Sequence, residues 1–194
     1  MYQYLYAGYF FQSFMPYQGV KKLTAGSYAV ISTIDLSISI TRWWDISKFY
    51  MEKSNDSFEE ALEKTDGLLK AAVKRRIESS DLEVGSFLSG GIDSGLVTAM
   101  ASEFNSKLKT FTVSFAGGDY DEAPLAKLVA DRYATNHNEI RISFDNLLGD
   151  VESILRNYGA PYFDSSAIPS YYVSREARKH LTVILNGDGG DEIF

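Results

Sequence analysis

A short segment rich in glycine and hydroxyl groups, residues 89–94 (SGGIDS), has residue types and spacing suited to binding phosphate. Two glycines allow the backbone to approach an anion closely, and a helix beginning here would add its positive dipole end. Ser89 and Ser94 can donate hydroxyl hydrogens, and Asp93 can hold a magnesium ion that bridges phosphates. The segment therefore predicts a phosphate-binding turn, with a purely structural strand-to-helix turn as the alternative. It matches neither the Walker loop nor the dinucleotide fingerprint.

A second unusual segment, residues 186–192 (NGDGGDE), follows the apolar run 181–185. It holds three glycines and three carboxylates within six residues. The glycines make the backbone flexible, and placing the carboxylates together there costs free energy. Magnesium or a cationic partner would offset that cost. An ordinary solvent loop would explain the glycines and the acids separately, but the presence of the first segment favours a site.

The elements that must position these segments alternate between strands and helices from residue 83 onward. Apolar patterns predict strands at 84–88, 108–115, 138–142 and 182–186, and helices at 96–104, 125–133, 147–158 and 167–180. This alternation predicts an α/β fold with a parallel sheet covered by helices on both faces. Ligands of such sheets bind beyond the carboxyl ends of the strands, where both segments lie, so we expect the first and last strands to be neighbours and the two segments to converge.

The chain before residue 83 has a β-rich part and one long helix. Alternation within residues 28–40 predicts two half-buried strands joined by a hairpin turn at 32–35. Helical spacing predicts an amphipathic helix over 58–76, with Ser57 and Glu60 as a capping box at its start. The composition changes between these parts, near residues 43–55.

Bulk composition excludes several classes of protein. The formal net charge is -7 and the sequence pI is about 4.9, so we expect no nucleic-acid partner. There is no cysteine, which excludes disulfides, thiolate metal sites and thiol nucleophiles. The apolar runs are too short to span a membrane, and residues 1–17 lack the pattern of a signal peptide. We therefore expect a soluble, cytoplasmic protein without a membrane partner.

Together the two segments resemble a known family. SGGIDS is similar to the PP-loop of N-type ATP pyrophosphatases, and GDGGDE at 187–192 resembles the second acidic signature of asparagine synthetases and their relatives. Residues 162–175 (YFDSSAIPSYYVSR) resemble bacterial members of that family. Residues 19–45, ending in RWWD, are similar to the join between the family's glutaminase and synthetase domains.

This resemblance covers nearly the whole chain but only the middle of the family's length. It implies two parts: residues 1–48 as a β-rich remnant of the glutaminase domain with its linker, and residues 49–194 as the N-terminal part of the synthetase domain. The implied fold is that of the adenine nucleotide alpha-hydrolases, to which PP-loop ATP pyrophosphatases belong. A glutaminase domain would be the partner of this part, and the complete protein could be a homodimer.

The resemblance also implies roles for individual residues. The pyrophosphate end of ATP would be bound by Ser89, Gly90, Gly91 and Ser94. Mg²⁺ would be coordinated by Asp93 and Asp191. The nucleoside would be lined by Phe87, Leu88, Val113 and Gly187, and Asn186 would be a further ATP-binding residue. Asp191 and Asp188 would be catalytic, although some relatives carry glutamate at the position of Asp188 and the shorter side chain reaches less far.

In the family, a substrate carboxylate attacks the α-phosphorus of ATP, pyrophosphate leaves, and ammonia displaces AMP from the acyl-adenylate. The resemblance therefore implies synthesis of asparagine from aspartate. The alternatives are another PP-loop adenylating enzyme, such as a β-lactam-forming or peptide-cyclising relative, and a non-catalytic nucleotide-binding protein. Because the glutaminase nucleophile of the family is a cysteine and the sequence stops just after the second acidic segment, we expect this chain alone not to make asparagine.

For the two histidines and for one acidic pair, a structural role is the simplest interpretation. His137 and His180 lie near the ends of predicted elements, where surface or capping roles are typical. Asp121 and Glu122 precede Pro124 and are expected to start a helix. The family carries a similar acidic pair, so a role in shaping the loop over ATP is the alternative.

Overall fold

The computed structural model describes residues 2–11, 15–115, 121–142, 147–158, 164 and 166–192. The chain forms two compact units. The first consists of Met1–Asp56 and Gly149–Ser165, and the second of Ser57–Leu148 and Ser166–Phe194. The division into residues 1–48 and 49–194 rests on the resemblance alone and stays a prediction. No helix within the described ranges has the length and apolar character needed to cross a membrane.

The first unit contains a two-stranded antiparallel sheet. Strands β1 (Ser27–Ile31) and β2 (Ile38–Arg42) pair from Ser27 opposite Arg42 to Ile31 opposite Ile38, which confirms the predicted hairpin. The prediction that these strands are half-buried is wrong, because Val30 is 58% exposed and every residue of β2 is exposed. A two-stranded ribbon without a packed layer buries little apolar surface.

Among its described residues, the first unit also contains helical segments. They are α1 (Tyr2–Ala7), α2 (Ile46–Met51) and most of α6 (Leu147–Tyr158). The α2 helix was not predicted, because six residues are too few to show a clear helical period. Its start is fixed locally by Asp45, whose carboxylate accepts the Ser47 N–H at 3.0 Å.

The second unit begins with the long helix α3 (Phe58–Glu78), and the predicted capping box is present. The Ser57 hydroxyl accepts the Glu60 N–H at 3.2 Å, and the Glu60 carboxylate accepts the Ser57 N–H at 2.9 Å. One face of α3 packs through Val73 on Met100 and Ala101 of the next helix.

A four-stranded parallel sheet forms the centre of the second unit, as predicted. Its strands are β3 (Val84–Phe87), β4 (Lys109–Phe115), β5 (Asn136–Ile142) and β6 (Val183–Leu185), in the order β5-β4-β3-β6. The connecting helices that lie within this unit are α4 (Ile92–Phe104), α5 (Ala123–Arg132) and α7 (Ala167–Ala177). The strands β3 and β6 are direct neighbours, with Val84 opposite Val183 and Ser86 opposite Leu185.

Helices cover both faces of this sheet. On one face, Leu88 packs on Ala126 and Ala130 of α5, and the hydroxyls of Ser86 and Thr98 of α4 share a buried hydrogen bond of 2.9 Å. On the other face, Phe111 packs with Ala177 and Leu181, at and after the end of α7, in a cluster that also contains Phe87, Ile140 and Ile184. Because alternate residues of a strand point to opposite faces, these short strands are enclosed by two apolar layers.

The α7 helix ends at Ala177, three residues before the predicted end at His180. The backbone turns there, and the Leu181 N–H donates to the Ala177 carbonyl at 2.9 Å. This turn brings Leu181 into the core beneath β3, where only 7% of its surface is exposed. The packing of Leu181 in the core explains why α7 ends before His180.

Candidate active site

A network of hydroxyl groups shapes the turn between β3 and α4. The hydroxyls of Ser89 and Ser94 share a hydrogen bond of 2.8 Å, and Ser94 is buried. Immediately before the turn, the Leu88 N–H donates to the Phe111 carbonyl at 2.8 Å, which extends the pairing of β3 with β4 up to the site. The turn is thus fixed on one side by the sheet and on the other by the first turn of α4.

The backbone N–H groups of this turn are hydrogen-bonded to side chains. The Ser89 N–H donates to the Ser94 hydroxyl at 3.1 Å, and the Gly91 N–H donates to the Ser89 hydroxyl at 3.1 Å. The Gly90 N–H donates to the Glu122 carboxylate at 3.0 Å. A phosphate bound in the predicted turn would use these same N–H groups, which in this structure have partners within the protein.

The two glycine-rich segments meet at the carboxyl ends of β3 and β6. A Cβ atom placed on Gly187 would lie 2.7 Å from the Ser94 nitrogen and 2.9 Å from the Asp93 Cβ. A Cβ atom placed on Gly190 would lie 2.6 Å from the Asp93 carboxyl carbon. Only glycine permits contacts this close. The prediction that the two segments converge is confirmed, while the shared metal of Asp93 and Asp191 stays a prediction.

Asp188 and Asn186 are linked at the end of β6. The Asn186 amide donates to the Asp188 carboxylate at 2.8 Å, and the Asp188 N–H donates to the Asn186 side-chain oxygen at 3.4 Å. Both residues are exposed, and both line a cavity at this edge of the sheet. The amide therefore orients the carboxylate to which the resemblance assigns a catalytic role.

A cavity of about 550 Å³ opens at this edge of the sheet. The four residues predicted to line the nucleoside, Phe87, Leu88, Val113 and Gly187, lie in its wall, and so does Asn186, which was predicted to bind ATP. Three further predicted residues, Ser89, Ser94 and Asp188, also line it. The remaining predicted residues, Gly90, Gly91, Asp93 and Asp191, belong to the two turns beside it. The sheet thus brings all the predicted site residues to one edge, and their binding roles stay predictions.

One wall of the cavity was not predicted, and it is formed by α7. It consists of Ser166, just before the helix, and of Pro169, Ser170, Val173 and Ser174 within it. These residues are three or four positions apart, so they share one helical face. The four-residue spacing of Ser166, Ser170 and Ser174 can be read from the sequence, but only the fold shows that this helical face borders the cavity.

Glu122, at the start of α5, is a second wall residue, for which a helix start was the first interpretation and a role in shaping the loop over ATP the alternative. The helix does begin after it, and the Asp121 carboxylate accepts the Ala123 N–H at 3.1 Å, as expected for the acidic pair. Among the described wall residues, Glu122 and Asp188 are the charged ones, and both are acidic. An anionic ligand therefore needs a cation with it.

The carboxylates fit a magnesium ion held partly by substrate. No group of three potential ligand residues that could hold a metal occurs in the part of the chain that the structure describes. Mg²⁺ in nucleotide sites is commonly bound through one or two carboxylates together with phosphate oxygens. Asp93, packed against Gly190, and Asp191, the next residue along that turn, fit this pattern.

The two histidines make contacts within the fold. The His137 Nδ1 and the Thr110 hydroxyl are 2.9 Å apart near the amino end of β4, away from the cavity edge. Burial lowers the pKa of His137, and the nearby Lys127 ammonium lowers it further. The His180 ring lies 5.7 Å from the ring of Phe111, centroid to centroid.

Comparison with known proteins identifies the family. Residues 64–194 match the family model described as asparagine synthase, so the chain belongs to the asparagine synthase family. A putative glutamine-hydrolyzing asparagine synthetase 2 of Methanocaldococcus jannaschii is 37% identical over 96% of this chain and 36% of its own length. A putative glutamine-hydrolyzing asparagine synthetase of Mycobacterium tuberculosis strain H37Rv is 32% identical over 92% of this chain and 27% of its own length. The chain thus spans about a third of the length of these curated relatives.

Among solved structures, NMN synthetase from Francisella tularensis superposes with a TM-score of 0.49 and 15% identity. The superposition covers 67% of this chain and 56% of that one.

Proposed function

We propose that this chain carries the ATP-binding and adenylating part of an enzyme that forms an amide through an acyl-adenylate, with aspartate as the acceptor of AMP. The observation that carries the proposal is the convergence of residues 89–94 and 186–192 beside one cavity. Family membership supports amide synthesis, and the names of the relatives support asparagine as the product.

In the proposed reaction, a carboxylate oxygen of aspartate attacks the α-phosphorus of ATP. A new C–O–P linkage forms, and the bond between the α-phosphorus and the bridging oxygen breaks, releasing pyrophosphate. Ammonia then attacks the acyl carbon, loses a proton, and AMP leaves with the former carboxylate oxygen. Such displacements depend mainly on positioning and on stabilising the charge that develops.

Different parts of the site would bind different parts of the substrates. The turn at 89–94 would hold the departing pyrophosphate at the start of α4, where the helix dipole favours negative charge. Leu88 and Val113 would hold the nucleoside from the ends of β3 and β4. Asp188, oriented by Asn186, would face the reacting centre. Mg²⁺, bound through Asp93 and Asp191, would neutralise charge on the phosphates.

The nitrogen source is a separate part of the proposed reaction. The relatives are named glutamine-hydrolyzing, whereas this sequence contains no cysteine to act as a glutaminase nucleophile. We propose that the adenylating part receives ammonia, supplied either directly or by a glutaminase domain acting as its partner.

The proposal is tested by calorimetry with the complete 194-residue chain and three ligands in the presence of magnesium: AMP, a sulfamoyl adenosine bearing an aspartyl group, and the same compound bearing a glutamyl group. The sulfamoyl compounds mimic acyl-adenylates. Since enzymes bind reactive intermediates more tightly than substrates, the aspartyl compound should bind on the order of a hundredfold more tightly than AMP. The glutamyl compound should bind clearly more weakly than the aspartyl compound.

Each result separates one part of the proposal from the others. Binding of AMP alone, with no gain for either acyl mimic, would favour a non-catalytic nucleotide-binding protein and contradict adenylation. A gain for the glutamyl mimic equal to that for the aspartyl mimic would leave adenylation in place but contradict aspartate as the acceptor. Failure to bind any adenosine ligand would overturn the proposed function.

A further inference from the structure

The carboxylate of Glu122 occupies a backbone donor of the phosphate turn. Its Oε2 accepts the Gly90 N–H at 3.0 Å, across 32 positions of sequence. A Cβ atom placed on Gly90 would lie 3.2 Å from the Glu122 Cβ and 3.1 Å from the Leu125 Cβ, so the start of α5 packs directly against the turn. An anionic group of the protein therefore sits where a phosphate oxygen of a nucleotide would accept the same hydrogen.

This contact differs from those of the neighbouring N–H groups. The N–H groups of Ser89 and Gly91 donate to neutral hydroxyls, which can rotate to accommodate an incoming oxygen. A hydrogen bond to a carboxylate is charge-assisted, and a second anion placed on the same donor meets strong repulsion at short range. The Glu122 carboxylate and a phosphate therefore cannot both hold the Gly90 N–H.

We propose that Glu122 gates the phosphate turn: its carboxylate holds the Gly90 N–H in the ligand-free protein and releases it when the pyrophosphate group of a nucleotide binds. The inference rests on the proposed function of the same turn. It also gives the turn a preference, because the acidic side chain repels free polyphosphate more than polyphosphate whose charge is neutralised by a bound cation.

The structure allows this exchange at little cost to the fold. Glu122 is the N-cap residue of α5, yet its side chain makes no capping hydrogen bond to that helix. Asp121 instead provides a hydrogen bond at the start of this helix, because its carboxylate accepts the Ala123 N–H at 3.1 Å. Glu122 is also exposed, so its carboxylate can move into solvent without being buried elsewhere.

The test compares the complete wild-type chain with Glu122→Gln and with Asp121→Asn, a control that removes the same charge one residue away. Titration calorimetry with inorganic pyrophosphate, without and with magnesium, measures affinity. Without magnesium, Glu122→Gln should bind pyrophosphate about tenfold more tightly than wild type, and Asp121→Asn should stay within about twofold of it. In ligand-free protein, the NMR signal of the Gly90 amide should shift in Glu122→Gln and not in Asp121→Asn.

Several results would overturn the gate. An equal gain in Asp121→Asn would show a general effect of charge, and an unshifted Gly90 signal in Glu122→Gln would show that the contact is absent in solution. If nucleotide binds to wild type and Glu122→Gln gains no affinity for pyrophosphate, the gate is wrong while the proposed function stands. If no form binds pyrophosphate or nucleotide, the proposed function falls together with the gate. Thermal unfolding of both variants shows whether each is folded.

Discussion

Gly190 lies directly against the carboxylate of Asp93. A Cβ atom placed on Gly190 would stand 2.6 Å from the Asp93 carboxyl carbon and 2.7 and 2.8 Å from its two oxygens. The residues are 97 positions apart, and the parallel pairing of β3 with β6 brings them together. The contact places the acidic end of the second glycine-rich segment at the half-buried Asp93, in the first turn of α4.

The first prediction follows from this contact. In Gly190→Ala, the added methyl group should displace the Asp93 carboxylate, which is the free end of a side chain and can move while the fold persists. We expect the affinity for magnesium-ATP to fall about tenfold or more, with little change in thermal unfolding. Calorimetry measures the first quantity and circular dichroism the second. The control is Gly67→Ala in α3, where a Cβ atom meets nothing within 4 Å. Unchanged affinity in Gly190→Ala would contradict the prediction.

Gly187→Ala should behave differently although it lies only three residues away. Its Cβ atom would meet the backbone of Asp93 and Ser94 at 2.9 and 2.7 Å, and backbone cannot move aside as a side chain can. We expect a loss of about 1–3 kcal/mol in the free energy of unfolding, as for other overpacked sites. Urea denaturation followed by circular dichroism measures this loss, and stability equal to that of wild type would show that the two segments are not in contact in solution.

Asp93→Asn tests the proposed magnesium ligand. An amide oxygen replaces a charged carboxylate oxygen, so the magnesium-dependent part of ATP binding should weaken, while binding without magnesium should stay the same or improve. Calorimetry with and without magnesium separates the two components. Asp81→Asn, in the turn before β3 at the opposite end of that strand, serves as the control for loss of one negative charge. An unchanged dependence on magnesium in Asp93→Asn would exclude Asp93 as a ligand.

Ser57→Ala removes one half of the capping box of α3. The Glu60 N–H would lose the hydroxyl that it reaches at 3.2 Å, and the loss of such a cap costs about 1 kcal/mol. We expect a lower midpoint of thermal unfolding of the helical signal. Ser54→Ala, which removes a hydroxyl bonded to the Asp56 N–H in the preceding loop, should have a smaller effect. Equal effects of the two substitutions would contradict the importance of the cap.

His137 should make stability depend on pH near neutrality. Burial, followed by the charge of Lys127, lowers its pKa below 6.5, although Glu139 and Asp131 oppose this shift. The folded protein therefore disfavours the protonated imidazole. The contribution of His137 to stability is complete above pH 6.5 and is lost as the pH falls through the folded-state pKa.

His137→Gln checks this prediction, since glutamine can still bond to the Thr110 hydroxyl but does not titrate. As the pH falls from about 8 to about 5, the unfolding midpoint of wild type should decrease more than that of the variant. An NMR titration of the His137 imidazole in wild type gives its pKa directly. A value at or above 6.5 would contradict the prediction.

The sequence alone determined the order and type of most elements of the second unit. The α3 cap is local, because Ser57 and Glu60 lie three residues apart and their residue types suffice to recognise it. The strands and helices that follow have clear apolar periods, which reflect burial on one face or on two. The positions of the two glycine-rich segments at strand ends follow from the same pattern, and so does the prediction that they converge in a parallel sheet.

Contacts between distant residues were decided only by the tertiary structure. The hydrogen bond from Gly90 to Glu122 joins two turns whose separate sequences explain themselves locally, the first as a strand-to-helix turn and the second as a helix start. The serine face of α7 has a readable period, but a helix can direct such a face to solvent or to a cavity, and its position on the sheet makes the choice. Likewise, alternation in β1 and β2 indicates strands without saying what covers them. The physical reason is that local sequence fixes backbone conformation, whereas the environment of a side chain depends on which elements pack beside it.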